Sequence, residues 1–222
     1  MQAIKVGAKY LEIDIQFSAD GVPMIHHDGN LKRMTQVDGI IHQWNFKDLM
    51  NLKVDERSRF GDQYNETLTP LNALNDILLE HSGVYVFVEI KKDNLEFFSR
   101  RFILERIIDA LALVMKQCIL ISFDEKIVNL AHSHFGTRVG LILNNWSQYQ
   151  YIKENNINPE FLFCDVKKMC AIHNYFCDDW KWVMYEVASF DTAKRLFDRG
   201  ISMVETFEIE NMLQHSKSIC DV

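Results

Sequence analysis

The sequence predicts an α/β fold in which buried strands alternate with helices. Runs rich in Val, Ile, Leu and Phe recur along the 222 residues, and segments with helical spacing of apolar residues separate most of them. This alternation favours a parallel sheet, for which a closed barrel of (β/α) units is one of the two main solutions. Because 222 residues suffice for one well-buried core, we expect a single domain over residues 1–222.

The first predicted elements form a hairpin. Residues 10–17 alternate apolar and polar side chains, which is typical of a strand and directs Glu12 and Asp14 to one face. The Asp20-Gly21 pair is typical of a tight turn, and residues 22–27 are then predicted to form a short returning strand.

The remaining elements are predicted from the change between helical and strand periodicity. Helices are predicted over 46–52, 71–81, 95–116, 125–133, 149–155, 166–175 and 191–199, the last ending near Gly200. Strands are predicted over 84–90, 118–122, 139–143, 161–165, 182–187 and 202–206. With the first strand these make seven parallel candidates, whereas a closed barrel of this kind has eight.

Acidic residues and a histidine are concentrated in the hairpin. Glu12, Asp14 and His27 lie within sixteen positions, and clustered carboxylates are stable when a hard divalent cation lies between them. A histidine beside such a site can donate or accept a proton. His26 is expected on the opposite face from His27, and Asp28 either caps a turn or orients His27. The alternative interpretation is a surface hairpin with scattered charge.

The same residues resemble a known signature. They are similar to the sequence signature of the glycerophosphodiester phosphodiesterase family, and the similarity includes Gly7–Gln16, Asp20–Pro23, His27-Asp28, Leu31 and Arg33. Residues 86–91 resemble the family's strand with a third metal carboxylate and a lysine that faces phosphate. Weaker similarity continues through residues 121–124 and 185–187 toward the last strand.

The resemblance implies a TIM (β/α)8-type barrel with the hairpin as a small insertion after the Glu-x-Asp strand. It implies a metal site at Glu12, Asp14 and Glu89 and a general acid or base at His27. The resemblance also implies that Lys91 faces the phosphate, and Glu89 and Lys91, two apart on a strand, are expected to share a face. Tyr185 occupies the position of a family Trp that lines the substrate pocket.

The cofactor and substrate follow from the same resemblance. Three carboxylates suit Mg²⁺ or Ca²⁺ better than zinc. The implied reaction is hydrolysis of a small glycerophosphodiester to glycerol 3-phosphate and an alcohol, within lipid and glycerol metabolism.

One departure from the family lies at the start of the chain. The family's first strand ends in His-Arg-Gly and a helix follows it, but only six residues precede Gly7. We therefore expect a barrel that lacks its first strand and helix, with impaired catalysis and with self-association through the open edge. The alternatives are a non-catalytic remnant that binds metal and phosphate, and a phospholipase similar to sphingomyelinase D.

Composition excludes other classes of function. The net charge of −7 argues against generic nucleic-acid binding. Charges interrupt the most apolar helical stretch, residues 102–115, so no membrane span is expected. The first residues lack the apolar core of a signal peptide, and five cysteines indicate reduced thiols, so we expect a cytoplasmic protein.

A second possible metal site lies further along the chain. Cys164, Cys170, His173 and Cys177 could bind zinc, but they lack the Cys-x₂-Cys pair of a strong zinc signal. Cys164 also falls in an apolar strand, where a buried thiol is common.

Overall fold

The computed structural model describes residues 1–54, 66–155, 157–171 and 180–220. The chain divides into two compact units, one formed by Glu12–Leu120 and the other by Met1–Leu11 with Ile121–Val222. The strands are β1 (Tyr10–Phe17), β2 (Pro23–Ile25), β3 (Lys53–Val54), β4 (Glu66–Thr67), β5 (Thr69–Pro70), β6 (Tyr85–Ile90), β7 (Cys118–Ser122), β8 (Val139–Ile142), β9 (Phe161–Asp165), β10 (Lys181–Tyr185) and β11 (Met203–Val204). The helices are α1 (Gln2–Val6), α2 (Lys32–Thr35), α3 (Phe46–Leu49), α4 (Leu74–Glu80), α5 (Arg100–Ala110), α6 (Glu125–Phe135), α7 (Trp146–Glu154), α8 (Phe190–Phe197) and α9 (Ile209–Cys220).

In the Glu12–Leu120 unit, strands follow the order β7-β6-β1-β2-β5. The predicted hairpin is confirmed, because β2 runs antiparallel to β1 with Ile15 opposite Ile25. Its turn contains Gly21 at a φ of 78°, in the left-handed region, and the Gly21 N–H donates to the Ser18 carbonyl at 3.0 Å. The turn therefore reverses the direction of the chain. Strand β2 then runs beside β1, which carries Asp14, and His27 lies just after β2.

A compact apolar cluster supports the segment after β2. Met24, Leu31, Ile41, Leu49 and Leu68 are fully buried and pack together. Burial of Leu31 anchors the start of the short helix α2, and the Asn30 side chain accepts from the Lys32 N–H at 2.8 Å. The residues between β2 and α2 are thus held at both ends.

In the other unit, β8, β9, β10 and β11 form parallel neighbours in that order. Helices α6, α7 and α8 precede β8, β9 and β11, which is the predicted alternation. The side chains of Asp124, Asn145 and Ser189 accept hydrogen bonds from the first turns of α6, α7 and α8 respectively.

Several predicted boundaries differ from the observed ones. Strands 10–17, 118–122 and 161–165 are confirmed to the residue. The helix predicted over 95–116 is wrong in extent, because α5 spans Arg100–Ala110 between 3₁₀ turns at Lys92–Glu96 and Met115–Gln117. The Ser99 side chain accepts a hydrogen bond from the Phe102 N–H at 3.2 Å and caps the helix. Helix α5 therefore begins later in the chain than the apolar spacing suggests.

Other differences concern short or isolated elements. Helices α1, α2 and α9 and strands β3, β4 and β5 were not predicted. Instead of a helix over 166–175, the structure has a 3₁₀ helix at Val166–Ala171, and residues 172–175 lie outside the described residues. None of the helices in the described part of the chain has the length and apolarity needed to cross a bilayer.

Candidate active site

Three carboxylates converge within the Glu12–Leu120 unit. Glu12 and Asp14 lie two residues apart on β1, and Glu89 lies near the end of β6. One oxygen from each of the three lies within 4.8 Å of the others. The structure thus brings together the three residues predicted as metal ligands, and their role as ligands stays a prediction.

Lys91 lies against two of these acids. Its Nζ is 2.6 Å from Asp14 Oδ1 and 2.8 Å from Glu89 Oε1. Burial raises the pKa of Glu89, although Lys91 acts in the opposite direction. Burial disfavours the charged lysine, but Glu89 and Asp14 outweigh it and raise the pKa of Lys91. The ammonium therefore offsets part of the repulsion among the acids.

The donor set fits a hard divalent cation. Three carboxylates and one ammonium leave an excess of negative charge in a partly buried site. Oxygen ligands of this kind match the preference of Mg²⁺ and Ca²⁺, whereas zinc prefers nitrogen and sulfur. Glu12, Asp14 and Glu89 would hold the ion.

His27 follows β2 and is accessible to solvent. Its side chain is 56% exposed, and Nδ1 lies 2.5 Å from Asp28 Oδ1. The His27 backbone carbonyl accepts from the side chain of Gln16, a fully buried residue of β1, at 3.2 Å. A charge on His27 lowers the pKa of Glu89, so the ring is electrostatically coupled to the acidic cluster.

Asp28 is paired on its other side with Arg33. Arg33 Nε donates to Asp28 Oδ2 at 2.6 Å, and Arg33 Nη2 donates to Oδ1 at 3.1 Å. The Arg33 hydrogen bond, followed by that from His27, overcomes partial burial and holds the pKa of Asp28 at about 2. Of the two predicted roles of Asp28, the geometry favours contact with His27 over capping.

His26 has a different environment from its neighbour. Its side chain is buried, and burial lowers the pKa of its imidazole. The two histidines differ in burial as expected, but the returning strand predicted over 22–27 ends at Ile25, so both lie beyond it.

Sequence reasoning missed two buried amides at the site. Gln16 donates to the His27 carbonyl at 3.2 Å, and Asn94 joins two chain segments. Asn94 is fully buried in the 3₁₀ turn after β6, and its Nδ2 donates to the Ile15 carbonyl at 3.0 Å and the Lys91 carbonyl at 3.1 Å. It thereby ties β1, which carries Glu12 and Asp14, to the segment that carries Lys91. A lone Asn in a polar stretch gives no sequence signal for this contact.

The remaining predicted site residues lie in the other unit. Tyr185 is half-buried at the end of β10, and its part in a substrate pocket stays a prediction. Cys164 is buried in β9, where burial and then Asp165 raise the pKa of its thiol to about 11. The Cys170 side chain, His173 and Cys177 lie outside the described residues, so the zinc alternative stays untested.

Comparison with known proteins identifies the family. The sequence profile of the glycerophosphoryl diester phosphodiesterase family matches residues 1–116 of this chain, which is more than half of its 222 residues. The chain belongs to this family. The family membership expected from the sequence motifs is therefore confirmed.

Curated relatives carry the same family name. Glycerophosphodiester phosphodiesterase 1 of Bos taurus is 30% identical over 91 residues, which cover 40% of this chain and 27% of the relative. The Homo sapiens protein is 29% identical over 92 residues, with the same coverage of 40% and 27%. The chain thus matches about a quarter of the length of these relatives.

Solved structures of phosphodiesterases show the fold. One is an Oleispira antarctica phosphodiesterase, solved in complex with the product sn-glycerol-3-phosphate. Its TM-score to this chain is 0.80 at 18% identity, and the match covers 98% of this chain and 87% of the Oleispira antarctica chain. The Thermotoga maritima glycerophosphodiester phosphodiesterase has a TM-score of 0.69 at 18% identity, covering 96% and 88% respectively. These likenesses confirm the predicted α/β fold of the TIM-barrel class.

Proposed function

We propose that this chain is a metal-dependent phosphoric diester hydrolase that converts glycerophosphodiesters to glycerol 3-phosphate and an alcohol. The observation that carries the proposal is the convergence of Glu12, Asp14 and Glu89 beside Lys91, in a chain whose first half matches the family. The product bound by the Oleispira antarctica relative supports this class of substrate.

The residues at the site have complementary roles in this reaction. A divalent cation held by the three carboxylates would offset the negative charge of the phosphodiester. Lys91 adds a positive charge that attracts the phosphate and stabilises charge on its oxygens. Water supplies the oxygen that bonds to phosphorus, the P–O bond to the alcohol breaks, and His27 transfers a proton to the leaving oxygen or from the attacking one.

The proposal is tested with purified protein and glycerophosphocholine. Glycerol 3-phosphate release is measured with Mg²⁺, with Ca²⁺ and after chelation, and ion binding is measured by calorimetry. Glu89→Gln should weaken ion binding by about tenfold or more, because a neutral amide replaces a buried anionic ligand. His27→Asn should lower the rate by about a hundredfold while leaving ion binding intact.

Matched controls separate the site from general effects. Glu105→Gln removes an exposed carboxylate of the same unit that pairs with Arg101 at 2.7 Å, and it should change neither ion binding nor rate. Full activity after chelation, or ion binding by Glu89→Gln equal to wild type, would contradict the proposal.

The two alternatives from the sequence give distinct results in the same assay. Ion binding without turnover would identify a binding module. Release of choline from sphingomyelin, but not from glycerophosphocholine, would identify a sphingomyelinase D-like enzyme.

Three further expectations stay predictions. They are one barrel domain over residues 1–222, a cytoplasmic location and self-association. Light scattering after size-exclusion chromatography measures the last of these directly.

A further inference from the structure

The exposed pair of Asp28 and Arg33 is linked to the proposed acid or base. Arg33 contacts both Asp28 oxygens, through Nε at 2.6 Å and Nη2 at 3.1 Å. A two-point contact between guanidinium and carboxylate restricts the plane of the carboxylate, which a single lysine contact does not do. The same Oδ1 atom lies 2.5 Å from His27 Nδ1.

The protonation state of Asp28 sets the direction of this hydrogen bond. With its pKa at about 2, Asp28 is a carboxylate at neutral pH and can only accept hydrogen bonds. Nδ1 of His27 must therefore carry the proton that is shared with Asp28. The neutral ring is then the Nδ1–H tautomer, and Nε2 is the nitrogen available to exchange a proton.

The backbone around these residues is held by other contacts. Leu31 is fully buried in the apolar cluster, and the Thr35 hydroxyl donates to the Leu31 carbonyl at 2.8 Å. On the other side of the contact, Gln16 donates to the His27 carbonyl at 3.2 Å. Arg33 and His27 are thus attached to supported backbone, so their shared contact to Asp28 can set the orientation of the ring.

We propose that Arg33 is a positioning residue that acts through Asp28 to hold His27 in one orientation and in the Nδ1–H tautomer. This inference rests on the proposed function only in taking His27 as the proton-transfer group. The competing interpretation is an ordinary surface ion pair, since the Arg33 side chain is 44% exposed and that of Asp28 is 25% exposed. A pair of that kind would change neither the ring nor the reaction.

The experiment compares Arg33→Met, Arg33→Lys and Asp28→Asn with wild type. Arg101→Met is the matched control, because Arg101 makes a similar exposed contact to Glu105 at 2.7 Å in the same unit. The imidazole ¹⁵N chemical shifts of His27, assigned by their loss in His27→Asn, report the tautomer of the neutral ring. Melting temperature, kcat and KM are measured on the same samples.

We expect the wild-type His27 ring to give the ¹⁵N pattern of the Nδ1–H tautomer. In Arg33→Met and Asp28→Asn the shifts should move toward those of a mixture of the two neutral tautomers. If glycerophosphodiesters are substrates, Arg33→Met should lower kcat by about tenfold with KM nearly unchanged, as for other residues that orient a reacting group. Arg33→Lys should lie between wild type and Arg33→Met. The melting temperature should change by less than about 4 °C, because an exposed ion pair contributes little to stability.

The two proposals can fail separately. A tautomer that shifts in Arg33→Met without any turnover in wild type would support the positioning role and reject the proposed substrate. Turnover in wild type with unchanged ¹⁵N shifts in both Arg33→Met and Asp28→Asn would overturn the positioning role and leave the proposed function standing. A shift in Arg101→Met equal to that in Arg33→Met would also overturn it.

Discussion

At the residue scale, the candidate site depends on side chains whose partners are distant in sequence. Lys91 pairs with Asp14 across 77 positions, and the 2.6 Å separation makes it part of the acidic cluster and not a free cation beside it. His27, in contrast, is held by the adjacent Asp28. The geometry of the candidate site therefore combines one local contact with several long-range ones.

Gly21 gives a prediction at this scale. It has a φ of 78°, and a Cβ added there would lie 2.7 Å from Phe102 Cζ. Gly21→Ala should lower the free energy of unfolding by about 2–3 kcal/mol, from backbone strain together with overpacking against the ring. Urea denaturation measures the change.

Gly136 is the matched control for this substitution. It has a φ of 65°, but no atom lies within 4 Å of an added Cβ. Gly136→Ala should therefore cost only the backbone strain of about 1 kcal/mol. Equal losses in the two variants would show that Phe102 does not restrict position 21.

At the element scale, hydrogen bonds from irregular segments place the regular ones. The 3₁₀ turn Lys92–Glu96 contributes Asn94, which joins the Ile15 carbonyl of β1 to the Lys91 carbonyl after β6. The apolar spacing that predicted a long helix over 95–116 contained no information on this turn. The elements that carry the acids are therefore aligned by a segment outside both strands.

We expect Asn94→Ala to lower the free energy of unfolding by about 2–3 kcal/mol, because two buried carbonyls lose a donor. Asn51→Ala is the control, since Asn51 makes a single exposed contact to the Lys47 carbonyl at 3.1 Å. It should change stability by less than about 1 kcal/mol. Denaturant unfolding measures the free energy of unfolding of both variants. An equal decrease in the two would contradict the role given to Asn94.

At the scale of the whole molecule, acid stability depends on carboxylates that are paired in the folded state. Glu160 contacts Arg138 through two hydrogen bonds of 2.8 Å, and Lys181 Nζ lies 2.9 Å from the same carboxylate. The Arg138 hydrogen bond, followed by that of Lys181, holds the pKa of Glu160 at about 2, below its ordinary value of 4.5. The pKa of Asp28 is likewise about 2, below its ordinary 3.8.

A lowered pKa stabilises the folded protein above the ordinary value of the group. That contribution should be complete above about pH 5 and should disappear as the pH falls toward 2. Arg138→Met should reduce the free energy of unfolding at pH 7 by about 1 kcal/mol, a value discounted for partial exposure. The difference from wild type should shrink near pH 2, where Glu160 becomes protonated in both proteins.

Urea denaturation at pH 7 and near pH 2.5 measures this difference. Arg195→Met removes an exposed arginine of α8 and is the control. Its free energy of unfolding should equal that of wild type at both pH values. A difference between Arg138→Met and wild type that stays constant with pH would exclude Glu160 as its source.

Much of the fold and the acidic part of the site could be predicted from sequence because they depend on local periodicity. The alternation over 10–17 directs Glu12 and Asp14 to one face, and the buried runs at 118–122 and 161–165 are strands to the residue. The short helix α2 and the start of α5 could not be predicted, because packing of Leu31 and capping by Ser99 decide them. The motif residues also identified the family, which the profile match confirms.

The sequence by itself determined the strand and helix alternation, the family and the identity of the candidate ligands, since each depends on residue types at short spacing. Only the tertiary structure decided that Lys91 pairs with Asp14 and Glu89, that Asn94 joins β1 to the Lys91 carbonyl just after β6, and that Arg33 contacts Asp28 on both oxygens. These contacts depend on distances across separate elements, which packing of the buried apolar residues sets and which residue spacing along the chain does not specify.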